Sequence, residues 1–490
     1  MTVSGNAEKY DLIIIGGGAA AFSAALKAES HAVKTAMVER GLLGGTCVNV
    51  GCVPSKNLLG AGELLYSSGN PSYSSISPCC EQDFDFSKTI RQKDNLVRYL
   101  RKQKYYDVLS SLENVKLIEG NAYFLSANKI RLKLNNNSGG SKTLEAKKFI
   151  VATGSSAFVP LSSTIRGIDN VDYLTNIEAL SLDKKPSSMI VIGGRALGLE
   201  FAQMYSRFGT KVTVLQRSDT IIPEHEPEIS SALMHYLSEE GVNVITGIRI
   251  QELYQKNDTK YVKISGSGKN NNNQTKTLEA EELLMATGRR PNTQGLHIEN
   301  ASVRLRPSDG AIVVDSEMHT SAPNIWAGGD VIGEPMLETL AAKEGATAAE
   351  NALTGSHKKI DFLSVPSAIF TSPQVASVGL TERQAMERYG VCDCRTFEMK
   401  EVPKALIINE TKGLIKMVVN PSKNNRIVGV HILADKAADM IHEAVMAVKY
   451  YMAVDDIIDT VHVFPTVTEA IKLVSTAFRQ DVTKLTCCAE

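Results

Sequence analysis

Three features of the sequence predict an α/β chain with two Rossmann-like nucleotide-binding domains, each part of a three-layer ββα build, followed by a C-terminal α+β domain. A strand–glycine turn–helix–strand unit opens near residue 12, the same unit returns near residue 188, and the pattern changes after Pro366. At 490 residues the chain exceeds what one ordinary core serves. Boundaries are expected at 1–157 for the first part of the first nucleotide domain, 158–285 for the second nucleotide domain, 286–362 for the return to the first, and 363–490 for the C-terminal domain. A net charge of -1 offers nothing to hold nucleic acid or an anionic membrane. No apolar run reaches the roughly 18 residues of a membrane span. The start MTVSGNAEKYD lacks both the basic and the apolar part of a signal peptide, so a cytoplasmic enzyme is expected.

In the first unit the apolar strand Leu12 to Ile15 runs into a glycine turn and an alanine-rich helix. Gly16, Gly18 and Ala21 satisfy G-x-G-x-x-[G/A], which lets backbone amides at a helix start approach a pyrophosphate. Glu39 ends the next strand, 23 residues after Gly16, where a carboxylate accepts from ribose hydroxyls. The second unit keeps Gly193 and Gly198 but carries Arg195 at the middle glycine, a side chain that must crowd the pyrophosphate or swing into solvent. The position of the acid holds Gln216, followed by Arg217. A guanidinium grips a 2′-phosphate that a carboxylate would repel, so NADPH is expected over NADH. The polar stretches near Asn135 and Asn270 have no apolar period and read as hairpin tips.

Eight cysteines fall in four close pairs: Cys47–Cys52, Cys79–Cys80, Cys392–Cys394 and Cys487–Cys488. In a reducing compartment such clusters mean redox chemistry or metal more often than structural disulfides. The segment GGTCVNVGCVPSK sets Cys47 and Cys52 just past the ribose-binding acid, close to where a dinucleotide's reactive ring would lie. Lys56, one helical turn after Cys52, and the helix start near Pro54 both favour a thiolate. Cys79–Cys80 and Cys392–Cys394 lie away from the nucleotide motifs and read as incidental thiols.

GGTCVNVGCVPSK resembles the redox motif of the pyridine nucleotide–disulfide oxidoreductases. The first glycine turn, Ala152-Thr153-Gly154, the run ATGRRPN with Gly288, and WAGGDV with Asp330 are similar to further family segments, so the resemblance spans nearly the whole chain. It implies FAD in the first unit, on the glycine turn and Glu39, on Gly45, Thr46 and Lys56, on Ala152 to Gly154, and with Asp330 near the ribityl chain. It also implies a nicotinamide coenzyme in the second unit, with Gly288 added to its contacts. A homodimer built by the C-terminal domain, and Glu200 paired with Lys56 behind the flavin, follow by the same analogy.

Disulfide-reducing members carry His-Pro-Thr-x-x-Glu in the C-terminal domain, and this chain has Phe464-Pro465-Thr466-Val467-Thr468-Glu469. Phenylalanine does not titrate, and losing a general base there costs about 10²–10⁴-fold in rate. The chain then ends LTCCAE. Adjacent α-carbons lie about 3.8 Å apart, short of the roughly 4.4–6.8 Å of ordinary disulfides, so Cys487 and Cys488 tend to stay a dithiol suited to a soft ion. The tail, the missing histidine and the run VPKALIINETKGLIKMV resemble the branch of the family that reduces mercuric ion. That resemblance implies NADPH-dependent reduction of Hg(II) to Hg(0) through FAD and a redox-active cysteine pair. Small thiols carry the metal, and the partner subunit's C-terminal dithiol delivers it, so Cys47, Cys52, Cys487 and Cys488 are the expected metal ligands. The branch's N-terminal metal-binding module is not expected, since the first glycine turn comes within the first twenty residues. Two other readings stay open on the residues alone: a dihydrolipoyl dehydrogenase-like enzyme with His462 as base, and a thiol-rich protein that sequesters metal.

Overall fold

The computed structural model describes residues 7–79, 84–135, 140–266, 275–484 and 486, arranged as two compact units. One unit comprises residues up to Ser55, Arg91–Phe158 and Gly288–Ile360; the other comprises Lys56–Ile90, Val159–Thr287 and the chain from Asp361 onward.

In the first unit the strand Glu8–Ile15 is the hub of a parallel sheet. It pairs with Thr35–Glu39 on one side and Ser141–Val151 on the other, and the sheet continues to Val115–Ser126 and Ile325–Ala327. Leu12, Ile13 and Ile14 are wholly buried, as an unbroken apolar run covered on both faces should be. Each such side chain contributes about 1.5–3 kcal/mol relative to exposure. The longer strands Val115–Ser126 and Ser141–Val151 run on to sandwich Lys129–Leu134 in an antiparallel meander. The other face carries the helices Ala19–Ser30 and Glu338–Thr354. They cross closely because Gly345 meets Ala20; a Cβ at 345 would lie 2.0 Å from the Ala20 carbonyl oxygen. Meander, sheet and helices are the expected three ββα layers.

The second unit contains a four-stranded parallel sheet in the order Glu282–Met285, Ser188–Ile192, Lys211–Leu215 and Asn243–Ile245. Beside it in sequence, Ile248–Lys256, Thr259–Gly266 and Lys276–Ala280 form an antiparallel meander. The two polar stretches read as hairpin tips fall largely outside the described residues, but antiparallel partners flank each of them. After Pro366 the chain builds a five-stranded antiparallel sheet, Ser367–Ile369, Gln374–Gly379, Arg426–Ala434, Leu414–Asn420 and Asp393–Glu398. The helices Ala437–Lys449 and Glu469–Thr476 pack on it through Met440, Ile441, Ala444, Ile471 and Val474, an α+β build. Among the described residues no helix is long and apolar enough to cross a membrane.

Candidate active site

The first glycine turn joins strand Glu8–Ile15 to helix Ala19–Ser30. Gly16 has φ 131°, a region open to glycine, and a Cβ there would sit 2.1 Å from the Ala152 carbonyl oxygen. A Cβ on Gly45 would lie 2.8 Å from the α-carbon of Gly18. Gly18 caps the helix without a side-chain hydrogen bond, so no side chain occupies its first amides. This backbone-lined cradle at a helix start, with buried Ala21 in the first turn, fits a dinucleotide pyrophosphate. Glu39 ends its strand as expected and accepts from the Gly41 amide at 2.6 Å.

Ala152 to Gly154, Gly45, Thr46 and Asp330, also expected around the flavin, lie within this unit, whereas Lys56 falls in the other. The Ala152 amide donates to the Ile15 carbonyl at 2.8 Å, continuing the sheet to the glycine turn. Thr153 and Gly154 are tied to Asn292, through Thr153 Oγ1 to the Asn292 carbonyl at 2.8 Å and the Asn292 amide to the Gly154 carbonyl at 2.9 Å. Asp330 accepts from Ser155 Oγ at 2.5 Å. Arg289, within the run ATGRRPN but given no role by it, organises this corner: its guanidinium donates to Ser155 Oγ at 2.7 Å and to Thr46 Oγ1 at 3.3 Å, and lies 3.8 Å from Asp330.

Cys47 sits in the short helix Gly45–Val50, and Cys52 is the first residue of the helix Cys52–Gly69. Neither is in a disulfide; Cys52 is exposed and Cys47 half-buried. A hydrogen bond to Cys52 and burial raise Cys47 above the ordinary thiol range. Cys52 faces water at a helix start, where amides and dipole favour a thiolate. Two neighbours escaped the sequence reading. Glu338, first residue of its helix, hydrogen-bonds Cys47, and burial together with Cys52 pushes its carboxyl up to about 7. Tyr105 lies in a π turn, Lys102–Tyr106, edge-on to Phe22 at 4.7 Å, its hydroxyl raised chiefly by burial and then by Glu338 and the two cysteines. Local signals for them were absent: neither belongs to a motif, and only the fold brings them to the sulfurs.

Glu344, on the same helix as Glu338, is 2% exposed and accepts from the Gly329 amide at 2.6 Å. Burial, helped by Asp330, pushes it up from 4.5 to about 7. A carboxyl raised on folding makes the folded state bind the proton more tightly. Its contribution is complete below the unfolded value of 4.5 and is lost as pH rises through about 7. Glu344→Gln should therefore flatten the loss of stability over that window by on the order of 3 kcal/mol. Thermal unfolding at acid and alkaline ends of the window checks this; identical pH slopes for parent and variant would contradict it.

Within the second unit, Lys56 Nζ donates to Glu200 Oε2 at 2.7 Å and lies 4.7 Å from the centre of the Phe370 ring. Glu200 is buried in the helix Ala196–Arg207 and accepts from the Phe370 amide at 2.9 Å through its other oxygen. The second glycine turn repeats the first. A Cβ on Gly193 would lie 2.1 Å from the Ala286 carbonyl oxygen, and one on Gly198 1.9 Å from that of Gly193. Arg195 swings outward to Glu224, 3.5 Å away, so the helix start keeps amides free of a side-chain cap and fits a second pyrophosphate. Gln216 turns inward instead, accepting from the Gly194 amide at 3.1 Å and donating to Ser218 Oγ at 2.5 Å. It supports the turn, and Arg217 beside it is exposed. Gly288, expected with this nucleotide, is the first residue of the final segment of the first unit.

In the C-terminal region Phe464 is exposed, on a stretch that is neither strand nor helix. Glu469, where the family motif places its glutamate, is buried and has one carboxylate oxygen, Oε2, without a hydrogen bond. His462 is occupied on both ring nitrogens, by the Thr460 carbonyl at 2.9 Å and Glu443 Oε1 at 2.8 Å. Cys487 and Cys488 lie outside the described residues, as does Cys80.

Comparison with known proteins agrees with this geometry. Residues 10–345 match the family described as pyridine nucleotide-disulphide oxidoreductase, and residues 365–475 match its dimerisation domain. A mercuric reductase of Lysinibacillus sphaericus is 39% identical over 486 residues, 99% of this chain and 85% of the relative. One from Streptomyces lividans is 39% identical over 480 residues, 98% of each. Among solved structures, the HOCl-induced flavoprotein disulfide reductase RclA of Escherichia coli superposes with a TM-score of 0.82 at 26% identity, covering 95% of this chain and 99% of that one. The family implies use of a flavin and a nicotinamide nucleotide. The chain belongs to the pyridine nucleotide-disulphide oxidoreductase family, as a relative of its mercuric reductases.

Proposed function

We propose that the protein reduces Hg(II) to Hg(0) with NADPH as the electron source, using Cys47 and Cys52 to hold the metal. The glycine turn at Gly16 to Ala21 and Glu39 would hold FAD, which would supply the two electrons, and the turn at Gly193 to Gly198 would hold the NADPH that replenishes them. The observation that carries the reading is Phe464 in the position where the disulfide-reducing members carry histidine, with Glu469 of the same motif left with one carboxylate oxygen lacking a hydrogen bond. Mercury needs no such histidine. Exchange of Hg(II) from a small-thiol complex onto a protein thiol breaks one Hg–S bond, makes another, and moves the incoming thiol's proton to the departing one. Cys487 and Cys488 of the partner subunit take the ion first and pass it to Cys47, the exchanging sulfur; Cys52, at the helix start, closes the two-thiolate site next to the cofactor. Lys56 adds positive charge one turn along the same helix, where Glu200 fixes its position. Glu338 lies close enough to Cys47 to help hold its thiol above the ordinary range.

The deciding experiment compares NADPH oxidation driven by Hg(II), by lipoamide and by oxidised glutathione. Turnover with mercury alone is expected; brisk turnover of either disulfide without response to mercury would end the reading, and stoichiometric binding without turnover would favour sequestration. The relay predicts that Cys487→Ala/Cys488→Ala slows reduction of thiol-bound Hg(II) by about 10²-fold, the low end of what tethering a ligand confers. Normal handling of glutathione-bound mercury by that variant would refute it. Arg217→Glu should lower kcat/KM for NADPH about 10–100-fold, the equivalent of losing a charged hydrogen bond of about 1.5–3 kcal/mol, while NADH changes little. Equal efficiency of the parent enzyme with both coenzymes would remove the basis for that assignment.

A further inference from the structure

We propose that Cys392, Cys394 and Glu382 form a second binding site, for a soft metal cation of the Zn(II), Cd(II) or Cu(I) class. By sequence alone these two cysteines are incidental thiols. The fold changes their standing by adding a carboxylate: both Sγ atoms and an oxygen of Glu382 lie within 4.8 Å of one another. Both cysteines are free thiols and half-buried, while Glu382 is exposed, which leaves a way in for an ion.

Each ligand is held by its own element. Cys394 is in the strand Asp393–Glu398, paired to Val418 of the neighbouring strand, and Cys392 precedes it by two residues. Glu382 is the first residue of the helix Glu382–Tyr389. Thr381 and Gln384 lock that helix start reciprocally, with Thr381 Oγ1 accepting from the Gln384 amide at 3.3 Å and Gln384 Oε1 accepting from the Thr381 amide at 3.0 Å. The Cys392 sulfur reaches the Glu382 carbonyl oxygen at 3.7 Å, tying the turn after the helix back to its start. Lys416 Nζ donates to Glu382 Oε2 at 2.7 Å, so the carboxylate is anchored rather than free to swing into water. Ala385, Val418 and Val428 make an apolar floor beneath the sulfurs.

This donor set has a definite chemistry. Two thiolates and one carboxylate select a soft or borderline ion over magnesium or calcium, and leave a fourth tetrahedral position for water. At Zn–S distances of about 2.3 Å, two thiolates on one ion lie under about 4.6 Å apart, within the observed spread. Binding forms two metal–sulfur bonds and releases two thiol protons to solvent; nothing is oxidised. The surroundings favour a cation, since three carboxylates, Glu226, Glu228 and Glu382, converge on the single ammonium of Lys416. The site lies in a different compact unit from Cys47 and Cys52 and needs neither nucleotide cradle.

Cadmium alone is the probe, in flavin-loaded Cys47→Ser/Cys52→Ser protein so that the redox pair does not compete. Adding Cys392→Ser/Cys394→Ser should remove one equivalent of bound Cd(II) per chain in equilibrium dialysis, with the matching share of the ultraviolet sulfur-to-cadmium band. Glu382→Gln should weaken that equivalent by about tenfold or more. Stoichiometry indifferent to the double substitution overturns the site, and affinity indifferent to Glu382→Gln overturns the three-ligand assignment. A measurement without those substitutions guards against misfolding: Cd(II) should protect Cys392 and Cys394 from alkylation, read peptide by peptide, and equal alkylation with and without the ion overturns the proposal.

Discussion

Cys52→Ser should reduce Hg(II)-dependent NADPH oxidation by more than about 10²-fold while the protein still purifies yellow. Cys52 opens the helix Cys52–Gly69 and is exposed, so a serine there disturbs no packing. The glycine cradle and the Arg289–Ser155–Asp330 corner are unaffected, and flavin binding should persist. What is lost is a soft thiolate. A hydroxyl stays protonated at neutral pH and makes a poor ligand for a thiophilic ion. Flavin content by absorbance and steady-state oxidation of NADPH, with and without mercury, separate the two effects. Activity within a few-fold of the parent would remove Cys52 from the chemistry.

The second large effect concerns stability. Lys416 is 2% exposed on the strand Leu414–Asn420, and its ammonium donates to Glu226 at 3.0 Å, Glu228 at 2.9 Å and Glu382 at 2.7 Å. Glu228 and Glu382 have side chains about half exposed and can rehydrate, but Glu226 is as buried as the lysine. Lys416→Met should therefore cost about 3–5 kcal/mol, because a buried carboxylate is left uncompensated. Glu226→Gln added to that variant should recover part of the loss, since the remaining group is neutral and still accepts from the Glu382 amide, now 2.6 Å away. Denaturant unfolding followed by circular dichroism reads both steps. A Lys416→Met midpoint equal to the parent's would show that water reaches the cluster.

The legible parts of the fold were those written in contiguous residues. A buried parallel strand is an apolar run, a glycine turn is spelled out, and a helix start follows at once, so Leu12 to Ala21 announces its own structure. The helices Ala437–Lys449 and Glu469–Thr476 supply the helical part of the α+β domain expected after Pro366. Contacts across long stretches of chain were a different matter. Glu338 stands nearly three hundred residues from Cys47, in no motif, and only the crossing of its helix with Ala19–Ser30 brings it to the sulfur. Lys56 and Glu200 were linked solely by family resemblance, because nothing in either segment names the other. Gln216 was chosen by counting along the strand, a method that finds a position but not a rotamer, and its amide is turned into the glycine loop. Cys392 and Cys394 looked ordinary because the third member of their cluster sits on a separate helix.

Cells keep small thiols and their disulfides side by side, so any thiol that ferries mercury travels among oxidised companions. A reductase able to protonate a departing thiolate would burn coenzyme on those companions whenever metal was scarce. With a phenyl ring at 464 in place of the disulfide-reducing members' histidine, and Glu469 left with one oxygen unbonded, the proposed enzyme lacks that histidine's part in the idle cycle. Its appetite for reductant then follows the poison and not the cell's general redox traffic, which is what a detoxifying catalyst held ready at all times requires.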